Sequence, residues 1–199
     1  GFIKKIKKIL EMVCHNCGKI LLDRSNPAFK AAVSVRDPKR RFDTIWRLCK
    51  PKMVCDSMST PEEGEGKDGP ASVHGGCGNL QPEVRQQALQ LTGTWKVPKD
   101  EDGENNQPEK RIITPEMALA VFKSISSSEI RDLGLSNDYA RPEWLIITVL
   151  PVPPPPVRPS VSMDGTGQGM RGEDDLTYKL GDIIRANGNV RQAQQEGSP

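Results

Sequence analysis

The amino-acid sequence predicts an irregular α+β fold with several helices, a few short strands, long acidic loops, a polyproline arm and a C-terminal helix. Apolar residues recur at helical spacing in several segments, which predicts amphipathic helices. The chain of 199 residues is 35% hydrophobic and 27% charged, which is typical of soluble domains. Because it has 18 glycines, 17 prolines and only 5% aromatic residues, we expect a modest core that a cross-link helps to hold.

Two helices are predicted in the first 50 residues. Residues 2–10 place apolar side chains near helical spacing between four lysines. Residues 37–50 carry apolar side chains at positions i, i+3, i+4 and i+7, which are Phe42, Ile45, Trp46 and Cys49. Cys49 is therefore expected to be a small buried apolar residue. Pro51 marks the end of this helix.

The middle of the chain predicts strands and two further helices. Residues 88–95 approximate the alternation of a strand. Thr114 and Pro115 are typical of a helix start, and Gly134 closes a second short helix. Residues 144–152, WLIITVLPV, form an apolar run too short for a membrane and rich in β-branched residues, so they predict a buried strand.

A proline-dense arm, VLPVPPPPVRPS, follows that run and leads into a glycine-rich loop. The arm is either a polyproline II ligand for an adaptor domain or a rigid spacer that aims the next loop. A helix then starts at Asp174 or Asp175, with an apolar stripe of Leu176, Leu180, Ile183 and Ile184. The chain therefore divides into five segments: residues 1–96, an acidic linker at 97–110, a helix and strand segment at 111–156, a loop at 157–178, and a helix start with a polar tail at 179–199.

The sequence MVCHNCGK places two thiols two residues apart before a glycine. This spacing lets Cys14 and Cys17 converge on one metal ion and favours zinc. The alternative, a redox dithiol, needs a helix opening directly after the motif, whereas the residues that follow predict a short strand and a turn.

The other two ligands are expected from Cys55 and Cys77. Cys55 lies just beyond the predicted helix, and Cys77 lies in a second glycine-flanked turn, HGGCGN. His74 remains an outside candidate, while His15 would crowd the two cysteines beside it. The predicted site, Cys14, Cys17, Cys55 and Cys77, is a closed structural zinc site with no position for a reacting water. Because 37 and 21 residues separate the later ligands, the metal would clip a large loop.

Charge is distributed unevenly along the chain. Residues 1–58 hold 14 Lys and Arg against 5 Asp and Glu, and the remainder holds 14 against 21. A basic end of this size suits a polyanion such as nucleic acid, although a solvated helix surface would have the same composition. No apolar stretch reaches 18 residues and no secretory signal is visible, so we expect no membrane partner and a reducing compartment. The start in mid-helix suggests an excised fragment.

Five stretches resemble, in order, a known family: GFIKKIKKILEMVCHNCGK, KRRFDTIWRLCKPKMVC, GGCGNLQP, RPEWLIITVLPVPPPPVRPS and RGEDDLTYKL. The family is the largest subunit of the eukaryotic multisubunit RNA polymerases, most closely that of RNA polymerase II. The resemblance implies that residues 1–96 belong to the clamp head, that the four cysteines match its zinc ligands, and that residues 157–178 are similar to the lid, which helps separate RNA from template. It also implies a nuclear location, with the second-largest subunit, other polymerase subunits, DNA template and RNA transcript as partners.

The resemblance also limits what this chain is expected to do. The family's catalytic Asp-x-Asp-x-Asp motif occurs nowhere in the 199 residues, so magnesium and the nucleotidyl transfer reaction belong to the parent enzyme. Catalytic residues are expected to be absent here. Eight cations are candidates for contact with nucleic acid: Lys39, Arg40, Arg41, Arg47, Lys50, Lys52, Arg158 and Arg171. The rival hypotheses are a free-standing zinc-stapled module whose prolines bind an adaptor, and a thiol oxidoreductase.

Overall fold

The structure is a computed structural model that describes residues 2–57, 74–96 and 107–197. The acidic loop at 58–73 and most of the predicted linker, 97–106, lie outside these residues. The chain forms two compact units, one ending at Ile147 and the other beginning at Thr148. Within the described residues, six α-helices and short antiparallel strands confirm the predicted α+β class.

The first unit begins with helices α1 (Phe2–Leu10), α2 (Pro27–Val33) and α3 (Pro38–Cys49). Each of α2 and α3 begins with an Asn or Asp cap followed by proline; α3 was predicted from the sequence, whereas α2 was not. Asn26 accepts hydrogen bonds from two backbone N–H groups of α2, and Asp37 does the same for α3. These caps satisfy donors that the first turn of a helix leaves without a partner.

A three-stranded antiparallel sheet follows, with β1 (Glu83–Gln87) and β3 (Glu109–Ile113) on either side of β2 (Gln90–Trp95). In this register Gly93 pairs with both Val84 and Arg111. β2 agrees with the alternation seen in the sequence. β3 was not predicted, and it contains Glu109 and Lys110, which the sequence had placed in the acidic linker.

Helices α4 (Pro115–Lys123) and α5 (Ser127–Asp132) follow the sheet in the sequence. Thr114 caps α4 as predicted, and Ser126 and Glu129 form a reciprocal capping box on α5. Glu129 also accepts a hydrogen bond of 2.9 Å from the backbone N–H of Ile20. This carboxylate therefore ties α5 to a loop 109 residues earlier in the chain.

One contiguous apolar core unites these elements. Cys49 is fully buried in it, as the helical spacing of α3 predicted. The core contains buried side chains from α1 to α5 and the sheet, among them Ile6, Ile9, Leu10, Phe29, Phe42, Ile45, Val84, Leu91, Phe122, Ile130 and Leu133.

The predicted buried strand over residues 144–152 is wrong. A 3₁₀ helix spans Pro142–Leu145, and the residues after it form bends without strand pairing. Side chains in this segment are also exposed to solvent, since Ile147 is 56% and Val149 is 83% exposed. Prolines on both sides leave only a short segment, and an apolar run becomes a buried strand only where another strand can pair with it.

The second unit contains the prolines, a short hairpin and helix α6. A 3₁₀ turn spans Pro155–Val157, strands β4 (Val161–Ser162) and β5 (Arg171–Gly172) pair, and α6 covers Asp175–Glu196. The helix starts at Asp175 with Asp174 as its cap, as predicted, and it extends through most of the predicted polar tail. Its apolar stripe is not buried, and Ile184 is 71% exposed. None of the helices in the described residues is long and apolar enough to cross a membrane.

Candidate metal centre

Four cysteines from distant parts of the first unit meet at one point. The sulfurs of Cys14, Cys17, Cys55 and Cys77 all lie within 4.8 Å of one another. The Cys14 and Cys77 sulfurs are 3.4 Å apart, and those of Cys17 and Cys55 are 3.7 Å apart. Tetrahedral zinc with Zn–S bonds of about 2.3 Å places its sulfurs about 3.8 Å apart. These distances are far longer than a disulfide bond, so the arrangement fits a four-thiolate metal site.

The first cysteine loop, residues 13–20, supplies Cys14 and Cys17. Val13 and Ile20 pair as an isolated antiparallel bridge at its base. The Gly18 N–H donates to the Cys14 carbonyl at 2.9 Å, which closes the turn between the two thiols. Gly18 has φ +74°, a left-handed conformation that glycine adopts without strain.

The second cysteine loop, residues 54–57 with 74–80, repeats this design using cysteines far apart in sequence. Val54 and Leu80 form its bridge, and the Gly78 N–H donates to the Cys55 carbonyl at 2.7 Å. Gly76 is required for a different reason. A Cβ at this position would lie 2.4 Å from the Cys55 sulfur, so only glycine lets the backbone approach the thiol.

Burial and hydrogen bonds shift the pKa values of the cysteine thiols in opposite directions. Burial raises the pKa of the Cys14 and Cys55 thiols. Although burial opposes it, hydrogen bonds from Asn79 lower the pKa of Cys77 to about 6. A divalent cation stabilises all four ligands as thiolates, so metal binding would displace the remaining protons.

Gln81 stabilises the cysteine cluster by hydrogen bonds, a role that the sequence did not indicate. Its side chain is buried, and Nε2 donates to the Cys14 sulfur at 3.2 Å and to the Asn79 carbonyl at 2.9 Å. Its Oε1 accepts from the His15 backbone N–H at 2.9 Å. The same amide therefore links both cysteine loops. A glutamine four residues after a cysteine has no distinctive sequence signal.

The two histidines and Cys49 lie outside the cluster. His74 is buried, with Nε2 2.5 Å from the Ile20 carbonyl and Nδ1 3.2 Å from the Asp56 carbonyl. The His15 ring faces the Leu10 carbonyl at 2.8 Å, and burial lowers its pKa. Burial raises the pKa of the Cys49 thiol to about 12, which makes it an inert core residue.

The structure divides the predicted basic residues of α3 and its neighbourhood. When the residues are projected around the helix axis at 100° per residue, four of the basic side chains fall within an arc of about 100°. This arc lies on the side of the helix away from the buried side chains. We call this set the basic face: Lys39, Arg40, Arg47 and Lys50. Arg41 instead donates to the carbonyls of Val35 and Arg131, and Lys52 forms an ion pair with Asp56. These two side chains thus have structural contacts of their own.

Lysines of α1 adjoin the basic face, which sequence spacing alone did not indicate. The Lys8 ammonium lies 2.7 Å from the Asp43 carboxylate and 4.4 Å from the centre of the Trp46 ring. The Lys50 ammonium approaches the same ring at 5.1 Å. Lys8 thereby neutralises the acid that lies among the α3 cations and lowers the pKa of Asp43.

The two arginines of the second unit differ in their surroundings. The Arg158 guanidinium donates to the Pro153 carbonyl at 2.8 Å and to the Thr177 hydroxyl at 3.2 Å. It therefore braces the proline arm against the start of α6. Arg171 is exposed on β5, with one long contact of 3.5 Å to the Ser160 carbonyl.

Comparison with known protein families assigns this chain to a family. The sequence model of the family described as RNA polymerase Rpb1, domain 1, matches residues 1–199. The match covers every segment discussed above, including the regions between the five resembling stretches. It confirms the resemblance seen in the sequence: this chain belongs to the RNA polymerase Rpb1 domain 1 family, a part of the largest subunit of DNA-directed RNA polymerase.

Proposed function

We propose that this chain is the zinc-clipped clamp head of the largest subunit of RNA polymerase II, continuing through the lid toward the clamp core, and that it works in the nucleus. The observation that carries the proposal is the convergence of four thiols within 4.8 Å in a chain that the family matches throughout. Four thiolates leave no position for water, so the metal is structural. It holds the two cysteine loops together across the residues that separate them.

The catalytic work belongs to other parts of the enzyme. Among the described residues, the group of side chains arranged to hold a metal is the four cysteines, a donor set suited to zinc and not to magnesium. As the family resemblance implies, we assign the magnesium and the catalytic aspartates to other parts of the parent subunit. The partners are the second-largest subunit and other polymerase subunits, the DNA template and the RNA transcript.

The basic face is proposed to hold nucleic acid by its phosphates. Its four cations are exposed, and Lys8 of α1 pairs with Asp43, the acid that lies among them. Exposed Lys and Arg side chains bind the backbone without reading sequence, which suits an enzyme that must accept any template. The surface would then contribute to retention of the template during transcription.

Neutralising two cations of the basic face tests this role. In RNA polymerase assembled with Lys39→Ala and Arg40→Ala together, we expect the slope of log affinity for DNA against log salt to fall by about 1.8, since each phosphate contact contributes roughly 0.9. The measurement is a salt titration of polymerase bound to labelled template. Lys30→Ala with Lys123→Ala is the matched control, because both lysines are exposed and lie outside the basic face. An equal slope in both variants would show that the face is only solvated.

The proline arm is proposed to aim the lid-like loop. Arg158 holds the arm to Thr177 at the start of α6, and β4 pairs with β5 at the base of the loop. Residues 163–170 extend beyond this paired base. The adaptor hypothesis receives less support, because the 3₁₀ turn at Pro155–Val157 interrupts the extended form that such ligands need.

Separate substitutions of the two arginines test the lid. We expect Arg171→Ala in the assembled polymerase to shorten the lifetime of elongation complexes about threefold to tenfold, because an exposed cation near the transcript is lost. Arg158→Lys keeps the charge but removes the guanidinium N–H groups that donate to Pro153 and Thr177. Because the proline arm would then no longer be held to α6, we expect this variant to form over-extended RNA–DNA hybrids. Complex lifetime and hybrid length are read from stalled complexes by nuclease protection. Unchanged values in both variants would exclude a role for these residues in strand separation.

A further inference from the structure

A cleft of about 480 Å³ lies in the first unit between the end of α3 and the start of β1. Its floor is apolar, formed by Leu10, Leu21 and Val84, which are buried residues of the core. Met53 lines the same cleft and is 38% exposed. A concave apolar surface of this volume is the size of sites that take one or a few side chains.

Cations surround this apolar floor. The lining residues include Arg47, Lys50, Lys52 and Lys96. Lys52 pairs with Asp56 and Lys96 with Glu83, whereas Arg47 and Lys50 have no ion pair with any of the described residues. The cleft therefore keeps two uncompensated positive charges at its edge.

Glu11, an acid that also lines the cleft, does not neutralise Arg47 and Lys50. Glu11 is buried and accepts a hydrogen bond of 2.7 Å from the Trp46 indole N–H, and it also forms an ion pair with Lys7. Its charge is thus compensated within the fold. A ligand entering the cleft would meet an aliphatic floor and a positive edge.

This combination discriminates between two kinds of polyanion. Single-stranded nucleic acid is held by aromatic side chains on which bases stack, and no aromatic ring is among the described residues that line this cleft. Aliphatic side chains of a peptide, in contrast, can be buried against Leu10, Leu21 and Met53. Acidic residues beside them would then lie against Arg47 and Lys50.

We propose that this cleft is a docking site for an acidic peptide segment of another protein, which inserts an aliphatic or aromatic side chain between Met53 and Val84. Its carboxylates pair with Arg47 and Lys50. The cleft adjoins the metal centre, because Gln81 lines it and donates to the Cys14 sulfur. It uses the cations at the C-terminal end of α3, whereas Lys39 and Arg40 lie at the helix start. Because Arg47 and Lys50 also belong to the basic face, a bound peptide would compete with nucleic acid for these two cations.

A synthetic peptide rich in Asp, Glu, Leu and Phe, labelled with fluorescein, tests the proposal in assembled RNA polymerase. We expect its affinity, measured by fluorescence anisotropy, to fall about tenfold or more with Arg47→Glu and Lys50→Glu together. Met53→Ser should weaken binding about fivefold without changing charge, because it removes an apolar contact. Lys30→Glu with Lys123→Glu is the charge-matched control and should leave affinity unchanged. A benzophenone on the peptide should cross-link to Met53.

Two outcomes would overturn the proposal. One is an affinity that the control lowers as much as the cleft variants do, which would indicate attraction by overall charge. The other is a short single-stranded DNA that binds as tightly as the peptide and loses the same affinity in Met53→Ser, which would assign the cleft to nucleic acid. Neither outcome depends on the salt titration of Lys39 and Arg40, so this proposal and the template-binding role fail independently.

Discussion

Replacing Cys55 by serine should remove the metal and loosen the first unit. The substitution leaves three thiolates for a site whose geometry needs four, and structural zinc contributes about 10–16 kcal/mol of binding free energy in small zinc domains. We expect zinc content, measured by mass spectrometry on purified protein, to fall from one ion per chain to nearly none. Protease resistance of the segment from residue 13 to residue 81 should fall with it.

Cys49→Ser is the control for this experiment. It also removes a buried thiol, but Cys49 lies on the core side of α3 and outside the sulfur cluster. We expect it to cost about 1–3 kcal/mol for burying a hydroxyl while keeping the zinc. His74→Ala should retain the ion as well. Loss of zinc in either control, or absence of zinc from the unsubstituted protein, would show that the ligand set is wrong.

Gly18→Ala should be among the most damaging single-methyl changes in the chain. The residue has φ +74°, and a Cβ there would lie 2.5 Å from the backbone carbon of Ser124, just after α4. The left-handed conformation costs about 1–2 kcal/mol for a residue with a side chain. Displacing backbone adds about 1–3 kcal/mol. The unfolding free energy, measured by urea denaturation in excess zinc, should therefore fall by about 2–5 kcal/mol.

Gly78→Ala separates the two contributions. Gly78 holds the equivalent place in the second cysteine loop, with φ +76°, but the nearest atom to an added Cβ is the Ser57 hydroxyl oxygen at 4.0 Å. We expect only the conformational cost, about 1–2 kcal/mol. If both substitutions cost the same, the close approach of the first loop to α4 does not contribute to stability.

Much of the local structure could be predicted because its causes lie within a few residues. Asp37 and Pro38 begin α3, Thr114 and Pro115 begin α4, and the spacing along α3 places Cys49 in the core. The turn from Cys14 to Gly18 is local in the same sense, whereas the second cysteine loop joins residues 54–57 to residues 74–80. The prediction of a strand at residues 144–152 was wrong because a strand depends on a partner elsewhere in the chain.

The sequence by itself determined the helix starts, the residues with metal-binding chemistry and the family to which the chain is similar. Only the tertiary structure decided which groups meet. Cys14 lies beside Cys77, 63 residues away, and Gln81 reaches a sulfur 67 residues earlier. Lys8 is placed over Trp46, and Met53 and Val84 line the same cleft. Such contacts depend on how the core packs, whereas propensity and spacing act over a single turn or loop.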